Sequence, residues 1–188
     1  LDLNVPLKNG KITDATRIKE TLPTLKCLLE GGASVVMASH LGRPEGKGFE
    51  AAYTAAPVAA WLKEQGFDCR LASYVNGEAV EAEAAALQPG QILLLENLRF
   101  EKGETKNKED FAASLAKLAD TYVNDAFGAA HRAHASVSGM VAHFHKDCVA
   151  AGFLREKELK ALGKVTENPD KPLVVIFGGA KVSDKIEL

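Results

Sequence analysis

The run Ile92-Leu-Leu-Leu-Glu96 restricts the fold more than any other stretch of the chain. Four apolar residues without polar alternation need cover on both faces, and two-sided cover is what helices give a parallel sheet. Ser34-Val-Val-Met-Ala-Ser39 repeats the pattern, and Tyr122-Val-Asn-Asp125 is a shorter version ended by polar breakers. Residues 67–71 read as a further strand, and Leu1-Asp-Leu-Asn-Val-Pro6 as the tail of one, closed by Pro6 and the Asn9-Gly10 turn. Helical patterns separate these runs. Residues 21–30 carry Leu22, Leu25, Leu28 and Leu29 on one face, with Pro23 in the first turn and Gly31-Gly32 as the stop. Residues 55–65, 78–87 and 109–118 are the other predicted helices, and residues 103–108 read as a loop. Strands alternating with helices predict an α/β fold: a Rossmann-like parallel sheet with helices on both faces.

Composition narrows the function. With 188 residues, 46% of them hydrophobic, the chain can bury a full core and part of a second. A formal net charge of -2 gives no bulk attraction for nucleic acid or membrane, and no apolar run approaches the ~20 residues of a membrane span. Cys27, Cys69 and Cys148 are too widely spaced for a metal cluster and read as reduced, mostly buried thiols of a cytoplasmic protein. The chain opens on Leu1 and stops at Leu188 within a charged run, the pattern of a fragment. The predicted organisation is a domain over residues 1–150, a connecting helix and linker over 151–170, and the start of a second domain over 171–188.

In an open parallel sheet, ligands bind beyond the carboxyl ends of the strands. Those ends carry Asp2 and Asn4, then His40 and Arg43, then Arg99, then His131, Arg132 and His134. Arg17, just before the first predicted helix, can face the same side. Guanidinium groups gathered on one edge repel unless a multiply anionic partner neutralises them. Their planar donor forks suit phosphate, while Asp2 and Asn4 suit a hydroxyl, so a small phosphorylated acid fits the set. Taken singly, each residue has a plainer reading. Arg99 can pair with Glu96 or Glu101, Arg17 can flank a helix, and His40 can be a satisfied loop histidine. Lys102 and Lys106 read as solvated, and Glu96 and Asp125 as groups that orient their neighbours. Gly178-Gly-Ala-Lys181 follows the strand pattern of residues 173–177, where glycine N–H groups and lysines can meet a phosphate. It lacks the spacing of a Walker A loop, and no dinucleotide-binding glycine fingerprint follows any strand.

Asp2-Leu-Asn-Val-Pro6, His40-Leu-Gly-Arg43, Leu95-Glu-Asn-Leu-Arg-Phe100, Asn124-Asp-Ala-Phe-Gly128, Ala130-His-Arg-Ala133 and Gly178-Gly-Ala-Lys-Val-Ser-Asp-Lys185 stand in the order found in the phosphoglycerate kinase family, which the chain resembles over essentially its whole length. The resemblance implies a two-domain, hinge-bending phosphotransferase of glycolysis with a carboxyl group as acceptor. It exchanges phosphate between 1,3-bisphosphoglycerate with ADP and 3-phosphoglycerate with ATP. Mg2+ enters as MgATP or MgADP, bound mainly by a second domain. By the same resemblance Asp2 and Asn4 meet the glycerate hydroxyl and carboxyl end, and Arg17 lies near that carboxyl, where charge develops. His40, Arg43, Arg99 and Arg132 hold the non-reacting phosphate. Lys181 stabilises the transferring phosphoryl group, and Gly178, Gly179 and Lys185 serve the nucleotide. The family implies a cytoplasmic monomer, and Glu158 on the connecting helix would face a second-domain partner. Ala129 departs from the hydroxyl residue often found there. Most of a nucleotide domain is missing, so the expectation is weak binding of 3-phosphoglycerate without turnover. The competing reading is a non-catalytic phosphate-binding or interaction module on the same scaffold, in which the arginines need not converge.

Overall fold

The computed structural model describes residues 1–167 and 169–174. The continuous apolar run forms β5 (Ile92–Leu94), the central strand of a parallel sheet between β3 (Val35–Met37) and β4 (Cys69–Leu71). Its side chains alternate between two cores. Ile92 and Leu94 join Ile18 and Leu25 of α1 (Thr16–Glu30) and Val58, Ala59 and Leu62 of α2 (Ala56–Glu64). Leu93 and Leu95 join Val80 of α3 (Glu78–Ala85) and Phe111, Ala112 and Leu115 of α5 (Glu109–Ala116). Two-sided burial of one strand is the mixed α/β arrangement that the apolar pattern predicts.

Several elements differ from the pattern. The helix expected at residue 21 begins at Thr16, because the Asp14 carboxylate accepts hydrogen bonds from the Thr16 backbone N–H and hydroxyl. Pro23 is therefore interior to α1, and Arg17 lies in its first turn rather than before it. Residues 1–6 form no strand. Leu3 N–H donates to Ser39 Oγ (2.9 Å) and the Leu1 ammonium donates to the Ala38 carbonyl (3.0 Å). The strand signal instead falls on a short antiparallel hairpin, β1 (Leu7–Lys8) with β2 (Lys11–Ile12), turned by Asn9 and Gly10 at φ 52° and 71°. Half of the expected loop at residues 103–108 is helical, as α4 (Lys102–Thr105).

The strand β6 (Tyr122–Asn124) pairs in parallel with β7 (Val149–Ala151), an element the apolar pattern does not reveal. The helix α6 (Phe153–Glu167) follows, its first turn tied to α1 where Phe153 N–H donates to Thr24 Oγ1 (2.9 Å). The chain divides into compact units between Glu156 and Lys157, within that helix. The three cysteines are free, but Cys27 is exposed and only Cys69 is fully buried. No helix among the described residues is long and apolar enough to cross a membrane.

Candidate functional site: a guanidinium rim at the strand ends

The loops after β3 and β5 are stitched together by one side chain. Asn97 is 1% exposed and uses both ends of its amide. Its Nδ2 donates to the Leu41 carbonyl (2.6 Å) and the Tyr53 carbonyl (3.0 Å), while Oδ1 accepts from Leu41 N–H and Arg99 N–H (both 3.1 Å). Gly42 sits where three segments meet. Its N–H donates to Asn4 Oδ1 (2.8 Å), and its carbonyl accepts from Arg99 Nη1 (2.9 Å). Its φ is 61°, and a Cβ there would lie 2.5 Å from the Tyr53 ring, so only glycine fits. Asn4, Gly42 and Arg99 are thereby locked into one register.

The carboxylates suggested as partners for Arg99 are engaged elsewhere. Glu96 accepts from Thr54 Oγ1 (2.5 Å) and from Ala55 N–H (3.0 Å), which anchors the start of α2, and Glu101 accepts from Tyr74 Oη (2.9 Å). Among the described residues neither Arg43, Arg99 nor Arg132 has a carboxylate ion-pair partner. Arg99 Nε is buried and has no hydrogen-bond partner. Arg132 Nε reaches only the His131 imidazole, at 3.3 Å. Arg17 is the exception, with Nη1 donating to Asp2 Oδ2 at 2.5 Å. Asp2 in turn lies beside the loop after β6, since a Cβ on Gly128 would stand 3.0 Å from Oδ2.

Electrostatics show that these side chains share one neighbourhood. Burial lowers the Arg99 guanidinium pKa, and Arg132 and Arg43 lower it further against the opposing pull of Glu104 and Asp2. Burial likewise holds the His40 imidazole down to about 4; Arg99, Arg132 and His134 add to the effect, and Asp2 opposes it. His40 is therefore neutral at neutral pH beside a cluster of cations. The structure thus brings Asp2, Asn4, Arg17, His40, Arg43, Arg99 and Arg132 to one edge of the sheet. Gly178, Gly179, Lys181 and Lys185 lie outside the described residues, as does most of the strand expected at residues 173–177.

Glu104 is a site residue that the pattern of the sequence hides. It is 3% exposed, accepts from Ser136 N–H (3.0 Å) and Ser136 Oγ (2.6 Å), and lies 3.6 Å from His134 Nδ1. Its carbonyl also accepts from Ala135 N–H (2.9 Å). The loop carrying Arg132 is therefore pinned on its far side by a buried carboxylate, with Tyr122 Oη donating to the Ser136 carbonyl (2.9 Å) from β6. The only local signal is Gly103. A Cβ there would stand 2.7 Å from Phe111, so α4 packs tightly on α5 and turns Glu104 inward. His134 has its pKa lowered by burial, with Glu104 opposing and Arg99, Arg132 and His131 reinforcing. Among the described residues no group of three or more His, Cys, Asp or Glu is arranged to hold a metal ion.

Comparison with known proteins gives this arrangement a family. A model of the family "Phosphoglycerate kinase" matches residues 1–188. The phosphoglycerate kinase of Moorella thermoacetica is 54% identical over 189 residues, covering 100% of this chain and 47% of the relative. That of Thermus thermophilus is 51% identical over 187 residues, covering 99% of this chain and 47% of the relative. The solved phosphoglycerate kinase of Coxiella burnetii superposes with a TM-score of 0.84 at 44% identity, over 98% of this chain and 45% of that one. That of Pyrococcus horikoshii superposes with a TM-score of 0.85 at 35% identity, over 98% and 46%. The chain spans about half the length of the relatives it matches. A family match along the whole chain, together with this fold, means that the chain belongs to the phosphoglycerate kinase family.

Proposed function

We propose that the rim binds 3-phosphoglycerate, and that the chain supplies the acid-binding half of a glycolytic phosphoglycerate kinase. In that reaction the acyl phosphate of 1,3-bisphosphoglycerate passes to MgADP, giving 3-phosphoglycerate and MgATP. His40, Arg43, Arg99 and Arg132 hold the phosphate that does not react. Arg99 supplies a buried Nε donor that has no partner in the free chain, and Arg43 and Arg132 close over the anion from the two flanking loops. Asn4 and Asp2 take the glycerate hydroxyl and carboxyl end. Arg17, held by Asp2 before the ligand arrives, turns its charge to the reacting carboxyl group.

Phosphoryl transfer asks little covalent chemistry of a protein and much positioning and positive charge. An acyl phosphate is a good donor, so the ATP-forming direction needs no general base, which accords with a site rich in cations. Lys181 would stabilise the phosphoryl group in flight, with Gly178, Gly179 and Lys185 on the nucleotide phosphates. Mg2+ arrives with the nucleotide. Closure of a nucleotide domain over the acid would exclude water and protect the acyl phosphate from hydrolysis. The half-length chain by itself binds the acid and forms no ATP.

One observation carries this reading. Three arginines without carboxylate partners act on one another beside a neutral histidine, a cluster that lacks only its anion. Titration calorimetry against 3-phosphoglycerate and inorganic phosphate tests it. Tighter binding of 3-phosphoglycerate supports the acid site, and equal, loose binding of both points to an unspecific phosphate-binding module. A coupled assay that detects ATP formation by these 188 residues alone would contradict the claim that the nucleotide half is required.

A further inference from the structure

Glu104 is held by hydrogen bonds that a neutral side chain could also make. Its carboxylate accepts from Ser136 N–H (3.0 Å) and from Ser136 Oγ (2.6 Å). In a glutamine at this position the amide oxygen would accept from the N–H. The amide nitrogen would donate to the Ser136 hydroxyl, which can turn to accept it. The loop therefore needs polar atoms from this residue but no charge. The charge is costly, because the side chain is almost wholly buried and, among the described residues, no lysine or arginine forms an ion pair with it. What the charge acts on is the rim. Glu104 lies in α4, directly after the short turn Leu98–Phe100 that bears Arg99. It stands 3.6 Å from His134 Nδ1, two residues beyond Arg132 in the facing loop. Burial lowers the pKa of both Arg99 and His134, and Glu104 opposes it at each, joined by Asp2 at Arg99. Arg132 reinforces burial at both, together with Arg43 at Arg99 and with Arg99 and His131 at His134.

We propose that Glu104 is a positioning residue whose negative charge, beyond its hydrogen bonds, limits how tightly the rim holds 3-phosphoglycerate and so keeps the acid releasable. The inference rests on the reading of the rim as an acid site. Before the ligand arrives, the buried carboxylate balances part of the positive charge that the guanidinium groups press on one another. Once the phosphate is bound, the same carboxylate repels it. In a reversible kinase, extra affinity shared equally by ground state and transition state adds nothing to the chemical step and slows product release. A carboxylate set behind the rim trims that affinity without occupying a donor the phosphate needs. The trade has a definite sign. Neutralising Glu104 should make the chain less stable and the anion more tightly held, whereas a merely structural residue would make both worse.

The test compares the parent with Glu104→Gln and Ser136→Ala by titration calorimetry against 3-phosphoglycerate and inorganic phosphate, at one pH above the histidine range. Glu104→Gln should bind both anions about 3- to 10-fold more tightly and show a lower Tm. Ser136→Ala, which removes a hydrogen bond and leaves the charge, should lower Tm without tightening either anion. The His134 imidazole, followed by NMR, should have its pKa lowered further in Glu104→Gln, opposite to the rise that a loosened, wetter loop would give. Affinity in Glu104→Gln equal to or weaker than the parent's overturns the inference, as does an unmoved His134 pKa, and either result leaves the acid site standing. A parent that binds neither anion contradicts the acid site, and the inference with it. Should Glu104→Gln unfold in buffer, inorganic phosphate brings negative charge back to the rim and should refold it, seen by circular dichroism. A variant that phosphate does not refold overturns the inference.

Discussion

The rim of arginines and the polar scaffold directly beneath it obey opposite rules. Beneath, Asn97 makes four hydrogen bonds and Glu104 is met by Ser136 twice, each group almost wholly buried. Above, Arg99 keeps a buried Nε without a partner and three guanidinium groups press on one another. A buried donor left unpaired costs about 1–3 kcal/mol, more when charged, so Arg99 Nε calls for a partner, and in the reading proposed above the anion supplies it. Completed polar groups hold a loop in place, whereas clustered cations with an unpartnered donor suit an incoming anion. Asn107 and Asp125 also keep an unpartnered oxygen each, but these are acceptors and make no case for an anion.

Breaking the scaffold should have the largest effect. Asn97→Ala removes four hydrogen bonds and leaves the buried Leu41 carbonyl and the half-buried Tyr53 carbonyl without this donor. We expect a loss of about 3–5 kcal/mol, seen as a Tm lower by on the order of 10 °C, with anion binding weakened because the rim loses its register. Gly152→Ala should behave similarly, since a Cβ there would stand 2.3 Å from the Asp125 carboxyl carbon. A rim variant should do the reverse. Arg132→Ala should leave Tm within about 1 °C of the parent and weaken 3-phosphoglycerate roughly 10- to 100-fold. If Arg132→Ala instead lowers Tm by several degrees, the distinction between rim and scaffold fails.

The sequence makes these two regions legible to different degrees. Arg43, Arg99 and Arg132 stand out because topology places strand ends together and because cations in small-residue loops look unusual. Glu104 and Asn97 do not stand out. Their roles arise from contacts between residues far apart in the chain, as when Glu104 meets Ser136 32 positions away. A charged residue inside a polar stretch looks solvated until packing turns it inward. The same holds for β7, whose Val149–Ala151 ladder exists only because β6 lies alongside. By contrast Ile92–Leu94 announces its two-sided burial locally, and helix α1 differs from the leucine spacing only at its start, where the Asp14 side chain holds Thr16 through its N–H and hydroxyl.

Protonation sharpens the contrast at intermediate size. His40 is held down to about 4 in the free protein. As pH falls from the ordinary histidine value near 6.5 toward that value, the unfolded chain binds a proton the folded one refuses, so stability drops across that window. A phosphate dianion beside His40 offsets the arginine charges and raises its pKa. Through His40, binding should therefore take up protons near pH 5.5, against the proton that a phosphate monoester of second pKa about 6 gives up on binding as the dianion; calorimetry in buffers of different ionisation enthalpy reads the net, and His40→Asn should shift it toward release. Uptake unchanged by His40→Asn would place the imidazole outside the anion's field. The smallest effect is expected from Arg17→Ala. That side chain is 53% exposed and paired to Asp2, so its loss should weaken 3-phosphoglycerate about 5-fold or less and leave inorganic phosphate binding alone.

Convergence of separate loops on one anion is most directly tested by a double-mutant cycle on Arg99 and Arg132, read as binding of 3-phosphoglycerate by titration calorimetry. If both arginines grip the same phosphate, Arg99→Ala and Arg132→Ala together should cost less than the sum of the two single losses, by about 0.5–3 kcal/mol. Losses that add to within about 0.5 kcal/mol would mean that the two side chains act on separate ligands or none.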